Sequence, residues 1–306
     1  MGKIGYDLIG DVHGFATKLR DLLVKMGYTL TKEKPFYHHP EGRIAVFVGD
    51  YIDRGEEEEG VINIVRPMVE GKSALAVMGN HEYNAICYSI KLESGQYMRQ
   101  HNSRNKKQHK AFIDEFPFGS EKHRDVISWF KTLPIFLELE GLNVIHAAWI
   151  KEDIDFLKQH LSENNTLTDE FMVEVAKKGD IYHSMERILK GVEMILPNEQ
   201  YWLDKDGVSR NTMRFNWFEY KDNVTYRNCA LSIPDHVDLP DLEIIDSPIL
   251  YNSDIPVFFG HYWMRGKPRL QTKKVACLDY SVAKGGELVA YRWNGEENLT
   301  EDNFIY

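Results

Sequence analysis

The residues best suited to chemistry in this chain of 306 residues lie in five short segments: Gly10-Asp11-Val12-His13-Gly14, Gly49-Asp50-Tyr51-Ile52-Asp53-Arg54-Gly55, Gly79-Asn80-His81-Glu82, His146, and Gly260-His261. Two carboxylates (Asp11, Asp50), one amide oxygen (Asn80) and three imidazoles (His13, His146, His261) make a mixed oxygen and nitrogen donor set. Such a set favours manganese, iron, zinc or cobalt over calcium or an all-thiolate site.

The elements that would position these donors are legible beside them. Tyr6 to Ile9, Ile44 to Val48, Ala74 to Met78, Leu142 to Ile145 and Ile255 to Phe259 are short apolar runs, and each leads into one of the five segments. Runs of this length read as buried strands. Donors at the carboxyl ends of neighbouring strands can converge on one point at the sheet edge, where adjacent glycines allow sharp turns. One Asp-x-His-Gly, or one His after an apolar run, is ordinarily a turn or a satisfied core histidine. Recurrence five times, four times with a neighbouring glycine, makes a shared metal site the better account.

With Gly-Asp-x-x-Asp-Arg-Gly and Gly-Asn-His-Glu in this order, the chain resembles the calcineurin-like metallophosphoesterase superfamily. The resemblance is to the branch that includes serine/threonine protein phosphatases and symmetrical diadenosine tetraphosphatases. It implies an α/β fold, an αββα sandwich, with two metal ions roughly 3.5–4 Å apart. By motif position it implies that Asp11 and His13 hold the first metal, that Asn80, His146 and His261 hold the second, and that Asp50 bridges. It further implies that His81 is a catalytic, non-ligand histidine, that Asp53 orients it, and that Arg54 grips the phosphoryl oxygens. Arg214, in Asn211-Thr212-Met213-Arg214-Phe215, is similar to a second phosphate-binding arginine of the tetraphosphatase branch. Gly260-His261-Tyr262-Trp263 is similar to that branch's Gly-His-Trp with one residue inserted. In His146-Ala147-Ala148-Trp149, Ala148 stands where the family has glycine, so the shape of that loop is the open question.

The chemistry implied is hydrolysis of a phosphate ester or anhydride by a metal-bridging hydroxide, with no protein nucleophile. An imidazole titrates near neutral pH, so His81 suits protonation of the leaving oxygen, and the forked donors of Arg54 and Arg214 suit the developing negative charge. Manganese is the metal expected first, with iron, zinc and cobalt open. The substrate is expected to be either a phosphoprotein or a phosphorylated small molecule such as a dinucleoside polyphosphate. Two other functions share these features: a non-catalytic metal-binding scaffold, expected to have lost ligands or the catalytic histidine, and a metal-dependent nuclease.

Bulk properties narrow the choice. A net charge of -10 and a pI near 5.7 argue against binding to nucleic acid polymers or anionic membranes, which relies on basic surface. Cys87, Cys229 and Cys277 have no paired spacing and read as reduced packing residues. No apolar signal-like run or membrane-length run is evident, so a cytoplasmic location is expected.

The chain reads as one domain, residues 1–306, with insertions at about 84–124 and 151–210. Phe15, Leu19, Leu22, Leu23 and Met26 predict a helix that stops at Gly27. Glu56 to Glu59 predict the solvated first turn of the next helix. The first insertion carries a basic stretch, Arg99 to Lys110, that reads either as ordinary solvated charge or as a phosphate-recognising flap. The second predicts a helical cap from the spacing of Phe156, Leu157 and Leu161, then Phe171 and Val175. Trp217, Phe218 and Tyr220 could stack on a base, although an aromatic cluster is more often core.

Overall fold

The computed structural model describes residues 5–197, 199–203, 209–219, 223–231, 233, 237–244 and 251–306. Two sheets carry the predicted runs. In the first, β1 (Tyr6–Ile9), β2 (Ile44–Phe47), β3 (Ala74–Ala76), β15 (Ala290–Trp293) and β16 (Phe304–Ile305) lie in the order β16-β15-β1-β2-β3. In the second, β4 (Phe136–Leu139), β5 (Leu142–Ile145), β11 (Val257–Phe259) and β12 (Val275–Cys277) lie in the order β12-β11-β5-β4. β1, β2 and β3 are mutually parallel, as are β5, β11 and β12. The strand ends that carry the candidate donors therefore point the same way within each sheet.

The inner strands β1, β2, β3, β5, β11 and β12 are mostly apolar because both faces are covered. Leu8, Val46, Val144, Phe258, Ala276 and Tyr291, drawn from both sheets, share one buried cluster. Their chain neighbours Ile9, Phe47, Ile145, Phe259, Cys277 and Ala290 belong to a second cluster with the helices. This period-two division puts one layer of side chains between the sheets and the other beneath the helices, as in an αββα sandwich. Asp7 of β1 is a charged exception: it is fully buried, takes a bidentate contact from Arg43 and pairs with its cross-strand neighbour Arg292.

Helix α1 (Ala16–Lys25) buries Leu19, Leu22 and Leu23, and the chain leaves it through Gly27 at φ +95°, as its sequence predicts. Helix α2 (Glu58–Glu70) packs against α1 and β3. Its start corrects the expectation for the acidic run, because Glu58 is fully buried and its Oε2 accepts a hydrogen bond from the Asp53 N–H at 2.9 Å. Burial and the Asp53 charge push the Glu58 carboxyl up to about 9, so it is protonated at neutral pH. The first turn is capped from outside the helix, with the Glu115 carboxylate accepting from the Glu58 and Glu59 N–H groups.

The segment between β3 and β4 holds α3 (Asn80–Ser89), α4 (Ser103–Gln108), α5 (Lys110–Glu115) and α6 (Glu121–Lys131). After β5 come α7 (Lys151–Leu157), α8 (Asp169–Ala176) and α9 (Asp180–Lys190). The predicted helical cap ends there, at Gly191 with φ +82°. The chain continues as β6 (Glu193–Ile195), which pairs with β9 (Thr212–Phe215), itself paired with β10 (Ala230–Leu231). Strand pairing across residues distant in the chain, with Met194 opposite Met213, replaces the helix in this part of 151–210. Two hairpin pairs, β7 (Trp202–Leu203) with β8 (Ser209–Arg210) and β13 (Asp279–Tyr280) with β14 (Glu287–Leu288), and helix α10 (Tyr226–Cys229) complete the elements named. All three cysteines are buried free thiols.

Candidate metal centre

The structure brings Asp11, His13, Asp50, Asn80, His146 and His261 together at the carboxyl ends of β1, β2, β3, β5 and β11. The loops are stitched to one another: the N–H groups of Val12 and His13 donate to the Asp50 carbonyl at 3.0 and 2.9 Å, and Gly260 N–H donates to the His146 carbonyl at 2.9 Å. Five of the residues at issue hold left-handed backbone: His13 (φ +49°), Asp50 (+53°), Asp53 (+68°), Arg54 (+83°) and His261 (+72°). Non-glycine residues adopt this conformation at a cost of order 1–3 kcal/mol each, and its concentration here marks a site where geometry outweighs local stability.

Asp50 stands between two donor groups. Its Oδ2 is 3.6 Å from His13 Nε2, while its Oδ1 is 3.4 Å from His146 Nε2. On the second side, Asn80 Oδ1 lies 3.1 Å from His146 Nε2 and 2.8 Å from His261 Nδ1. Hydrogen bonds to the main chain select the nitrogens that face inward. His13 Nδ1–H donates to the Ile52 carbonyl at 3.1 Å and His146 Nδ1–H to the Val48 carbonyl at 2.9 Å, which leaves each Nε2 with its lone pair toward the centre.

These residues fit a pair of cations. Among the described residues, Asp11 Oδ1, His13 Nε2 and His261 Nε2 are buried atoms without a hydrogen-bond partner, which is costly unless another ligand satisfies them. The electrostatics agree. Burial and the neighbouring Asp279 raise the Asp11 carboxyl well above its ordinary value. Burial would raise Asp50 too, but the imidazoles of His146, His81 and His13 hold it well below. Bound cations would relieve the first conflict and take over the role of protonated imidazoles in the second.

Glycines set the close approaches. A Cβ on Gly260 would lie 1.8 Å from Asp11 Oδ1, and one on Gly79 would lie 2.2 Å from the Asp50 nitrogen. Gly260→Ala is therefore expected to displace Asp11 and to lower kcat/KM by about a hundredfold, the scale of an ångström-size misplacement. Overpacking should cost about 1–3 kcal/mol of stability. Thermal melts and metal analysis of the purified variant would check this; wild-type metal content and melting temperature would contradict it.

His81 and Asp53 also meet here. His81 Nδ1–H donates to Asp53 Oδ2 at 2.6 Å, and its Nε2 points toward the centre, 3.9 Å from Asp50 Oδ2. Arg54 is exposed at the mouth, with Cζ 4.5 Å from the centre of the Trp263 ring. Arg214 on β9 lies 5.9 Å from the Tyr262 ring; after burial, its charge is the next influence holding His261 well below its ordinary value. Ala148, fully buried, turns its N–H to the Ile188 carbonyl of α9 at 3.2 Å, so the loop after His146 is braced by that helix.

The profile of the calcineurin-like phosphoesterase family matches residues 6–261, an interval that spans all five candidate segments. The chain belongs to this family. Among curated relatives of the family, a bis(5'-nucleosyl)-tetraphosphatase PrpE [asymmetrical] of Halalkalibacterium halodurans is 36% identical over 154 residues, which is 48% of this chain and 58% of that protein. A protein of the same name from Oceanobacillus iheyensis is 32% identical over 141 residues, 46% of this chain and 54% of its own length. The alignments thus span a little over half the length of these relatives. A solved protein serine/threonine phosphatase from Saccharomyces cerevisiae aligns with 99% of this chain and 78% of its own, at 12% identity and a TM-score of 0.47.

Several residues of this family site are not evident from the sequence alone. Glu82, the last residue of Gly-Asn-His-Glu, is buried and accepts from the N–H groups of Gly79, Asp50 and Tyr51 at 2.9, 3.0 and 2.8 Å, so it shapes the Asp50 loop. Asp279 is buried beside Asp11 and accepts from the Trp263 N–H at 2.7 Å. Its place directly after the apolar run from Val275 to Leu278 was an available signal. His109 contacts Asp53, and nothing in its basic surroundings marks it. Of the two readings of the aromatic cluster, the commoner one, core, holds: Trp217 is fully buried and donates from Nε1 to the Tyr262 hydroxyl at 3.0 Å, and Phe218 is 5% exposed against Phe259. Both are core, because the face of β11 that carries Phe259, turned away from the other sheet, needs a covering layer. Tyr220 lies outside the described residues.

Proposed function

We propose that this protein is a two-metal phosphohydrolase of the cytoplasm that cleaves a dinucleoside polyphosphate, with manganese as its metal. The observation that carries the hydrolase reading is Asp50 set between two groups of donors that include three buried, unpartnered atoms. Asp11 and His13 would hold one cation, Asn80, His146 and His261 the other, and Asp50 both. Two such ions, when bound, supply charge stabilisation for the phosphoryl oxygens and lower the pKa of a water that can attack phosphorus.

The chain's own residues do the rest. His81 Nε2, facing the centre, delivers a proton to the leaving oxygen, and Asp53 keeps its Nδ1 protonated and its ring aimed. Arg54 at the mouth offers paired donors to the phosphoryl group, and its stacking on Trp263 restricts its orientation. Retention of all six ligands with His81, Asp53 and Arg54 disfavours a scaffold that has given up catalysis. No helix among the described residues is long and apolar enough to cross a membrane.

The names of the curated relatives support the substrate class. The test is a panel of substrates with manganese-loaded protein: diadenosine tetraphosphate, nucleotides, a phosphoserine peptide and an aryl phosphate. Diadenosine tetraphosphate is expected to have the highest kcat/KM. Products ATP and AMP would match the asymmetrical cleavage in the relatives' names, whereas two ADP would place the cut at the centre. Preference for the phosphopeptide would overturn the substrate proposal.

A further inference from the structure

Asp53 is held by two histidines. His81 Nδ1–H donates to Oδ2 at 2.6 Å, and His109 Nδ1–H donates to Oδ1 at 3.0 Å. The Asp53 main-chain N–H is engaged as well, by the buried Glu58. His109 is 4% exposed and Asp53 3% exposed, so water does not compete for these contacts. His109 forms the junction of α4 and α5, and its ring lies 5.1 Å from Tyr88 and 4.9 Å from Phe112, centre to centre. The basic residues around it, Arg104, Lys106 and Lys107, are exposed on α4.

A carboxylate with a donor on one oxygen can still turn about its Cβ–Cγ bond. Donors on both oxygens fix its plane, and with it the direction from which it holds a third group. This matters at Asp53 because its backbone, at φ +68° and followed by Arg54 at +83°, is not in a relaxed conformation that would place the side chain unaided. We propose that His109 is a positioning residue for the proton-transfer step: it locks the Asp53 carboxylate so that Asp53 aims His81 at the leaving oxygen. Through this side chain, the α4–α5 segment acts on the chemistry, independently of its exposed cations. The contacts of both histidines also hold the Asp53 carboxyl below its ordinary value against the effect of burial, which keeps it anionic. The inference rests on the reading of His81 as the general acid.

The experiment compares phenyl phosphate, a poor leaving group, with dinitrophenyl phosphate in manganese-loaded wild type, His109→Leu, His109→Asn, His81→Asn and the His81→Asn/His109→Leu double variant. Leu keeps the bulk and removes the donor; Asn can return a donor near Nδ1. For His109→Leu, kcat on phenyl phosphate is expected to fall about ten- to a hundredfold with KM little changed, and dinitrophenyl phosphate to be nearly unaffected. His109→Asn should recover most of that loss. In the His81→Asn background, His109→Leu should cost nothing more. Equal losses on both substrates, or a further loss in the His81→Asn background, would assign His109 to packing and overturn the proposal. If the Leu variant does not fold, His109→Phe takes its place, keeping a ring and removing the donor: a selective deficit on phenyl phosphate supports the proposal, and a folded His109→Phe that spares phenyl phosphate or damages both substrates equally sinks it. A His81→Asn variant without leaving-group selectivity overturns the general-acid reading and this inference with it. A selective His81→Asn beside a silent His109→Leu overturns this inference alone.

Discussion

Asp50→Ala is expected to lose metal at both positions and, with it, at least about a thousandfold in kcat/KM. The size follows from where Asp50 sits: its two oxygens face His13 on one side and His146 on the other, at 3.6 and 3.4 Å, so one substitution removes a donor from each group. What remains is Asp11 and His13 on one side and Asn80 with two imidazoles on the other, with no anion shared between them, a poor host for a pair of cations. A readout besides turnover is available, because a ligand that binds only the folded state raises its stability by about 2.7 kcal/mol at a concentration of a hundred times its Kd. Added manganese should therefore raise the melting temperature of chelator-stripped wild type and leave Asp50→Ala unmoved. Stripped wild type should be inactive and should recover best with manganese or cobalt. Full activity in thoroughly metal-free protein would refute the two-metal reading.

His81→Asn is expected to keep both metals and lower kcat by roughly 10² to 10⁴ for substrates with poor leaving groups, the usual contribution of a positioned proton donor. The geometry separates His81 from the ligands: its Nδ1 is taken by Asp53 at 2.6 Å, whereas the inward nitrogens of His13 and His261 include atoms with no partner. His81 nevertheless falls within 4.8 Å, donor to donor, of His13 and Asp50, close enough for a ligand role to need testing. An activated aryl ester, whose leaving group departs without a proton, should suffer much less. Loss of one metal equivalent from His81→Asn, or equal damage to both substrates, would make His81 a ligand.

The donor set and the strands that carry it were legible because each ligand follows an apolar run at the point where the run stops. Burial on both faces makes such strands continuously apolar, and a functional residue at the carboxyl end interrupts that pattern visibly. Asp11, Asp50, Asn80, His146 and His261 stand out for this reason, and His13 through the Gly-Asp-x-His-Gly turn. Helix α1, with its apolar spacing and terminal Gly27, was legible by the same local logic.

Tertiary structure alone decided the rest, since burial is a property of packing and not of residue type. Glu58 reads as one of four solvated acids, yet the entry of α2 into the Asp53 loop buries it and protonates it. His109 reads as part of a basic, polar stretch, yet the fold between α4 and α5 turns it inward onto Asp53 while its neighbours stay in solvent. Trp217 reads more readily as core than as a stacking platform, and its position over Phe259 makes it core. The sequence by itself determined which residues are candidates to bind metal and that they sit at strand ends. Which atoms face one another, which oxygens of Asp50 and Asp53 meet which imidazoles, and which charges lose their water were decided only when distant segments were packed together, as where the His261 N–H donates to Asp11 Oδ2, 250 residues away along the chain. Local pattern encodes the type of a residue and its element; the partners that set its charge and aim come from elsewhere in the chain.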